Sequence, residues 1–331
     1  MRNDINFLKQ LSNKDGIISA LALDQRGSLK KMLTKESGKQ ADNHDMSRFK
    51  KVVASRLSNY ASAILLDPQV GLPAARARDK HCGLLLSYEV SGFDTSRPGH
   101  MPRLLEDWSV KRLKEVGAQA IKVMLYYDAN EGNIVNRKKH AFIERIGDET
   151  KEEGLPFFLE LMTYDVNISG TKNPDYAKVR PYKVNAAIRE FSKPRYNVSV
   201  LKVEVPVDMH YVDGYNQGNP SVYSKAKARQ FFKDQNEATH NVPFIFLSGG
   251  VSAKMFQESL KLAHSAGSSF DGVLCGRATW APSVQFFAKE GEKVTQKWLN
   301  TTGRQNIEKL NNILSRTAVP WEKKMKLTQP V

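Results

Sequence analysis

The stretch Asn197-Val198-Ser199-Val200-Leu201-Lys202-Val203-Glu204-Val205-Pro206-Val207-Asp208 reads as an apolar strand interrupted by a lysine. Taking an ammonium out of water favours the neutral amine, and a neutral amine attacks a carbonyl carbon, so Lys202 is a candidate nucleophile. A lysine can instead run its charge out to solvent or to a carboxylate. The rest of the chain has to decide between these uses.

Seven more runs of the same kind occur, at residues 17–24, 61–67, 83–89, 118–128, 156–165, 243–250 and 271–277, with 198–208 sixth in order. Most are separated by amphipathic, helix-like segments, the pattern of strand-helix units around a parallel sheet. Eight such units close a barrel, so the expected fold is α/β, a (β/α)8 TIM barrel in a single domain over residues 1–331, with an N-terminal helix and C-terminal covering helices. Ser47 and Ser252 are expected to open helices, and 67–73 leaves room for only a brief one. Residues 208–221, with Gly214, Gly218 and Pro220, read as a long loop after the sixth strand.

A hydrophobic fraction of 40% beside 26% charged residues excludes a disordered chain and fits one large core. Cys82 and Cys275 belong to no metal or redox spacing and read as reduced core thiols. Residues 1–10 hold no leader-like apolar region and no stretch reaches membrane-spanning length, so a cytoplasmic protein without a membrane partner is expected. The net charge of +15 suits phosphorylated metabolites, nucleic acid or anionic membrane. Its lysines and arginines are scattered, as at Lys30-Lys31 and Arg137-Lys138-Lys139, which favours a generally basic surface over a nucleic-acid footprint.

Seven of the eight runs end in an acidic residue or an arginine, at the face where barrels of this kind place their chemistry. For Asp67, Asp128 and Asp165 the simpler expectation is a cap on the following helix. Asp24, Lys122, Glu160 and Lys202 stand at positions whose alternation turns them inward. On neighbouring staves, Lys122, Glu160 and Lys202 converge over the barrel mouth. Two lysines and two carboxylates suit Schiff-base chemistry, because a second ammonium disfavours protonation of the first and a carboxylate shuttles protons. A competing reading makes them an ion-pair plug, Lys122 with Glu160 and Lys202 with Asp24. Buried pairs contribute little net stability against apolar packing, which weighs against it.

Leu247-Ser248-Gly249-Gly250-Val251-Ser252 puts free backbone N–H groups just before a helix, and Leu274-Cys275-Gly276-Arg277 adds a guanidinium. Loops after the seventh and eighth strands commonly hold phosphate in this way, so Ser248, Gly249, Gly250, Gly276 and Arg277 are candidate phosphate ligands. No Walker loop, dinucleotide fingerprint, His-Glu-x-x-His or nucleophile elbow is present. The seven histidines form no ligand cluster, so no metal and no cofactor are expected, and His210 reads as a surface residue near the active face.

Ala22-Leu23-Asp24-Gln25-Arg26-Gly27, Leu65-Leu66-Asp67-Pro68, Phe158-Leu159-Glu160, Val200 to Pro206 and Gly272 to Trp280 closely resemble the tagatose 1,6-bisphosphate aldolase family. The resemblance covers nearly the whole chain. It implies a metal-independent class I aldolase that splits D-tagatose 1,6-bisphosphate into dihydroxyacetone phosphate and D-glyceraldehyde 3-phosphate, tolerates fructose 1,6-bisphosphate, and serves lactose and galactose catabolism. By resemblance Lys202 matches the Schiff-base lysine, Glu160 the acid/base carboxylate, and Asp24, Gln25 and Lys122 the residues that orient substrate; Gln25 comes from the resemblance alone. Two departures stand out: the +15 charge, where the family is mostly acidic or near neutral, and Gly249, where alanine is familiar. Alternatives are a related aldolase acting on another ketose phosphate, such as a sulfofructose phosphate, or a barrel with an added regulatory binding role. A homo-oligomer is compatible with either.

Overall fold

The computed structural model describes residues 3–326 except 95 and 97. Each of the eight apolar runs contains one strand: β1 (Ile18–Ala22), β2 (Ala63–Leu66), β3 (Gly83–Ser87), β4 (Ala120–Tyr127), β5 (Phe157–Thr163), β6 (Val200–Val203), β7 (Phe244–Leu247) and β8 (Gly272–Cys275). They pair in parallel in sequence order and close through β1 and β8, from Ile18 opposite Gly272 to Leu21 opposite Cys275. This is the expected (β/α)8 barrel. The seam needs a glycine, since Gly272 has φ +145° and a Cβ there would lie 2.0 Å from the Ile18 carbonyl oxygen.

Alternation divides the core into two shells. One face of the strands, including Leu21, Ile64, Leu86, Val123, Leu159 and Phe246, packs under the helices. The other fills the barrel with Ala22, Leu65, Leu85, Ala120, Phe158, Val200, Ile245 and Leu274. Each Leu, Ile or Phe so buried contributes about 1.5–3 kcal/mol. The amino-terminal end is stoppered by Leu8 of the helix Asn3–Gln10, by Leu11 and by Trp321, whose indole N–H donates to Ser12 Oγ at 2.8 Å. Moving two residues on from this apolar layer keeps a side chain on the inner face and carries it toward the open end. The step goes from Ala22 to Asp24, from Ala120 to Lys122, from Phe158 to Glu160 and from Val200 to Lys202.

Ser252 caps the helix Ala253–Ser265 as expected, accepting from the Met255 N–H. Ser47 does not open its helix, which runs Asn43–Leu57 from Asp42, because Asp42 and Asp45 form a reciprocal capping box one turn earlier. The crossover after β2 is the six-residue helix Leu72–Ala77. After β6 the chain makes one 3-10 turn, Met209–Tyr211, and otherwise runs as a loop to Ser224. Beyond β8 the helices Ser283–Glu290, Glu292–Trp298 and Arg304–Thr317 lie outside the barrel, and Glu322–Lys326 returns beneath it.

Asp67, Asp128 and Asp165 do not cap helices, which corrects that expectation. Asp67 accepts from the Val70 N–H and pairs with the buried Lys50, while Asp128 and Asp165 both pair with Lys183. A buried lysine on a flanking helix claims these carboxylates before a helix N-terminus can. Among the described residues no helix is long and apolar enough to cross a membrane. Cys82 and Cys275 are both free and buried, and burial pushes the Cys275 thiol up to about 11.

Candidate active site

A cavity of about 330 Å³ opens at the carboxyl end of the barrel, and all ten residues singled out in the sequence line it: Asp24, Gln25, Lys122, Glu160, Lys202, Ser248, Gly249, Gly250, Gly276 and Arg277. Its floor is ionic. Lys122 Nζ donates to Asp24 Oδ2 at 2.9 Å, to Glu89 Oε1 at 2.6 Å and to Glu160 Oε2 at 2.7 Å, which uses all three of its hydrogens. The other oxygen of Glu160 meets Lys202 Nζ at 2.7 Å. Glu160 thus stands between the two lysines. The Lys202–Asp24 pair of the competing ion-pair plug is not formed, because Lys122 takes up the β1 carboxylate and Lys202 meets Glu160, while the Lys122–Glu160 contact of that reading is present.

The strand register produces this geometry. Glu160 and Lys202 are direct partners across β5 and β6, and Glu160 sits beside Met124 of β4, one inward position beyond Lys122. The stagger between β4 and β5 brings the Lys122 ammonium up beneath the Glu160 carboxylate.

Burial and charge compete at each group. Burial works against the Lys122 ammonium, but Asp24, Glu160 and Glu89 outweigh it and hold its pKa well above the ordinary lysine value. Burial favours the neutral acid at Asp24, yet Lys122 and Lys202 hold it well below the usual carboxylate range. Glu160 is lowered by the same two lysines against the same burial. At Glu89 burial wins over Lys122 and Arg26, and the carboxyl is raised.

The β7 and β8 loops form the opposite wall. Gly249 and Gly250 have φ of +59° and +80°, and a Cβ on Gly250 would come within 3.2 Å of Arg277 Nη2, so the guanidinium lies across that backbone. A Cβ on Gly276 would approach the Ala22 carbonyl oxygen at 3.0 Å and Gln25 Nε2 at 3.2 Å, which places Gln25 against the same loop. Exposed backbone at 249–250 with a guanidinium beside it has the make-up of an anion site.

Sequence reasoning missed Glu89, although counting inward positions from Leu85 through Ser87 reaches it. Arg26 and Ser28 were missed too, as were Ser91, Gly92 and Tyr126, which line the β1–β4 side of the cavity. Arg26 donates to the Glu89 carbonyl oxygen at 2.7 Å and to Gln69 Oε1 at 2.9 Å. Gln25 Oε1, Arg26 Nε and Glu89 Oε2 are buried and have no hydrogen-bond partner among the described residues. A second cavity of about 430 Å³ adjoins the first across Met162 and residues 247–250. His210 lines this second space and pairs with Asp208 at 2.8 Å. Among the described residues no group of three or more histidine, cysteine or acidic side chains is placed to hold a metal ion.

The ensemble offers a buried lysine against a carboxylate, a second lysine held behind it, and a wall of exposed backbone with a guanidinium beside it. Solved structures share the fold at low sequence identity. Fructose-bisphosphate aldolase from Plasmodium falciparum superposes with TM-score 0.68 at 13% identity, over 95% of this chain and 94% of that one. An archaeal fructose 1,6-bisphosphate aldolase gives TM-score 0.55 at 13% identity, over 90% and 99%. Sequence relatives are nearer: the tagatose 1,6-diphosphate aldolases of Staphylococcus aureus strains JH9 and Newman are each 53% identical over 320 residues, 97% of this chain and 98% of theirs. The model of the DeoC/LacD family aldolases matches residues 18–282, a span from β1 past β8 that holds every residue named in the cavity. The chain belongs to the DeoC/LacD family of aldolases.

Proposed function

We propose that this aldolase is a metal-independent class I enzyme that cleaves D-tagatose 1,6-bisphosphate to dihydroxyacetone phosphate and D-glyceraldehyde 3-phosphate, and accepts fructose 1,6-bisphosphate. The observation that carries the reading is the contact of Lys202 Nζ with Glu160 Oε1 at 2.7 Å, in a cavity whose other wall bears Gly250 and Arg277. The names and 53% identity of the Staphylococcus aureus relatives support the choice of sugar.

Lys202 gives its extra proton to Glu160 along their hydrogen bond and adds as a neutral amine to the C2 carbonyl, forming a carbinolamine. Glu160 returns the proton to the departing hydroxyl, which leaves as water, and an iminium remains. A carboxylate of the Asp24 and Glu160 pair takes the C4 hydroxyl proton. The C3–C4 bond then breaks, its electrons passing into the iminium to give an enamine while C4 becomes the aldehyde. Protonation at C3 and hydrolysis release dihydroxyacetone phosphate and restore Lys202. Lys122 keeps its charge throughout, because three carboxylates hold it, and so fixes the carboxylates that move protons. Ser248, Gly249, Gly250, Gly276 and Arg277 hold the C1 phosphate, and Gln25 lies over the same end.

We assign the enzyme to the cytoplasm, in the tagatose 6-phosphate route of lactose breakdown; two buried free thiols suit a reducing compartment. The reading is tested by a coupled cleavage assay on tagatose and fructose 1,6-bisphosphates in excess chelator. Full activity with chelator that disappears in Lys202→Met supports it, whereas activity in Lys202→Met overturns it.

A further inference from the structure

The ionic floor of the cavity contains one carboxylate that the cleavage steps above leave unused. Glu89 is 2% exposed and follows β3, where the chain doubles back: Glu89 bridges Leu104, the Val90 N–H donates to the Arg103 carbonyl at 2.8 Å and the Glu89 carbonyl accepts from Arg26 Nη2 at 2.7 Å. Its backbone is therefore held from two sides. Oε1 accepts from Lys122, while Oε2 is buried, partnerless and part of a side chain that lines the cavity. A buried acceptor without a partner is costly, and a molecule that supplies a donor there recovers that cost.

The direction from which such a donor arrives follows from the barrel. In strand order β3 stands across the mouth from β7, whose loop forms the anion wall with Arg277. A ketose joined at C2 to Lys202, with its C1 phosphate on that wall, extends C4 to C6 toward β1, β3 and β4. The hydrogen bonds run from Lys202 to Glu160, from Glu160 to Lys122 and from Lys122 to Glu89. Glu89 closes that series on the β3 side, as Asp24, on the same ammonium, closes it on the β1 side.

Resting on the proposed cleavage reaction, we propose that Glu89 is a specificity-determining residue whose Oε2 accepts a hydrogen bond from the hydroxyl one carbon beyond the reacting carbonyl of the aldehyde half, C5 of the ketose. It selects aldehydes that carry a 2-hydroxyl and takes no part in forming the Schiff base with the ketone half. Burial raises the Glu89 carboxyl, and a hydrogen bond donated to Oε2 by the sugar favours the ionised form that accepts it.

The test is the condensation reaction of dihydroxyacetone phosphate with either D-glyceraldehyde 3-phosphate or 3-phosphooxypropanal, which lacks the 2-hydroxyl. The quantity read is the ratio of the two kcat/KM values. Wild type is expected to favour the hydroxylated aldehyde by roughly ten- to hundredfold. In Glu89→Gln, which keeps an oxygen for Lys122 and loses the acceptor at Oε2, the ratio falls toward one. Glu89→Leu gives the same fall by removing both oxygens. Each ratio is taken within one variant, so general damage through Lys122 cancels. Borohydride trapping of dihydroxyacetone phosphate on Lys202 is expected in wild type and in both variants. An unchanged ratio with trapping intact overturns the role of Glu89 alone, as does a wild-type ratio near one. No trapping in wild type overturns the cleavage reading and this inference with it.

Discussion

Glu160 and Lys202 are register partners on neighbouring strands, and their side chains meet at 2.7 Å, Oε1 to Nζ, while Glu160 Oε2 is held at 2.7 Å by Lys122. One carboxylate is thus positioned to exchange protons with the proposed nucleophile while its other oxygen is fixed. Glu160→Gln keeps the shape and removes the proton carrier. Its turnover is expected to fall by roughly 10²–10⁴-fold, while a slower adduct with dihydroxyacetone phosphate still forms. Single-turnover trapping beside steady-state cleavage separates the two effects, and equal loss of both would assign Glu160 to structure.

Lys122 donates a hydrogen bond to each of three buried carboxylates, so its loss is expected to show in stability as well as in activity. In Lys122→Met, burial dominates at Asp24 and Glu160, whose pKa values rise above those of the unfolded chain, and Glu89, already raised, rises further. Carboxyls raised in the folded state contribute stability that is present below the unfolded pKa, about 4, and lost as pH rises through the folded values. The variant should be destabilised by about 3–5 kcal/mol near neutral pH and recover toward pH 5. Urea unfolding at pH 5 and pH 8 measures this, and an equal loss at both values would contradict it.

Arg277 lies against the Gly250 backbone on the wall proposed to hold phosphate. Arg277→Ala removes a charge-assisted contact, so KM for the bisphosphates should rise roughly tenfold to hundredfold with a smaller change in kcat. Arg277→Lys should restore part of the affinity. A kcat effect without a KM effect would place the phosphate elsewhere.

The barrel seam gives a prediction free of any substrate. Gly272→Ala would set a methyl group 2.0 Å from the Ile18 carbonyl oxygen at a φ of +145°. The β1–β8 edge would have to open, and loss of several kcal/mol or failure to fold is expected by thermal melting. An unperturbed melting temperature would show that the seam yields locally.

Much of this architecture was legible because a parallel barrel writes each strand as a short apolar run, and the inward step from Ala120 to Lys122 or from Val200 to Lys202 obeys a period of two. That residues 248–250 and Arg277 come together on one wall of the cavity was legible from small residues before a helix and an arginine after the last strand. Pairing was not. Which carboxylate Lys202 meets depends on the stagger between strands, a closure property that no single run carries, so the run pattern left open whether Glu160 or Asp24 stands against it. Glu89 escaped because the backbone bonds that hold it come from Arg103 and Arg26, outside its own run. The buried pairs of Lys50 with Asp67 and Lys183 with Asp128 likewise depend on helices whose facing residues the strand pattern does not specify.

The central claim is that Lys202 is the Schiff-base nucleophile. Its most direct test is borohydride reduction in the presence of dihydroxyacetone phosphate and a chelator, followed by peptide mass mapping. The account predicts one reduced adduct, on the peptide containing Lys202, and none in Lys202→Met. An adduct on another lysine, or cleavage activity without any adduct, would contradict it.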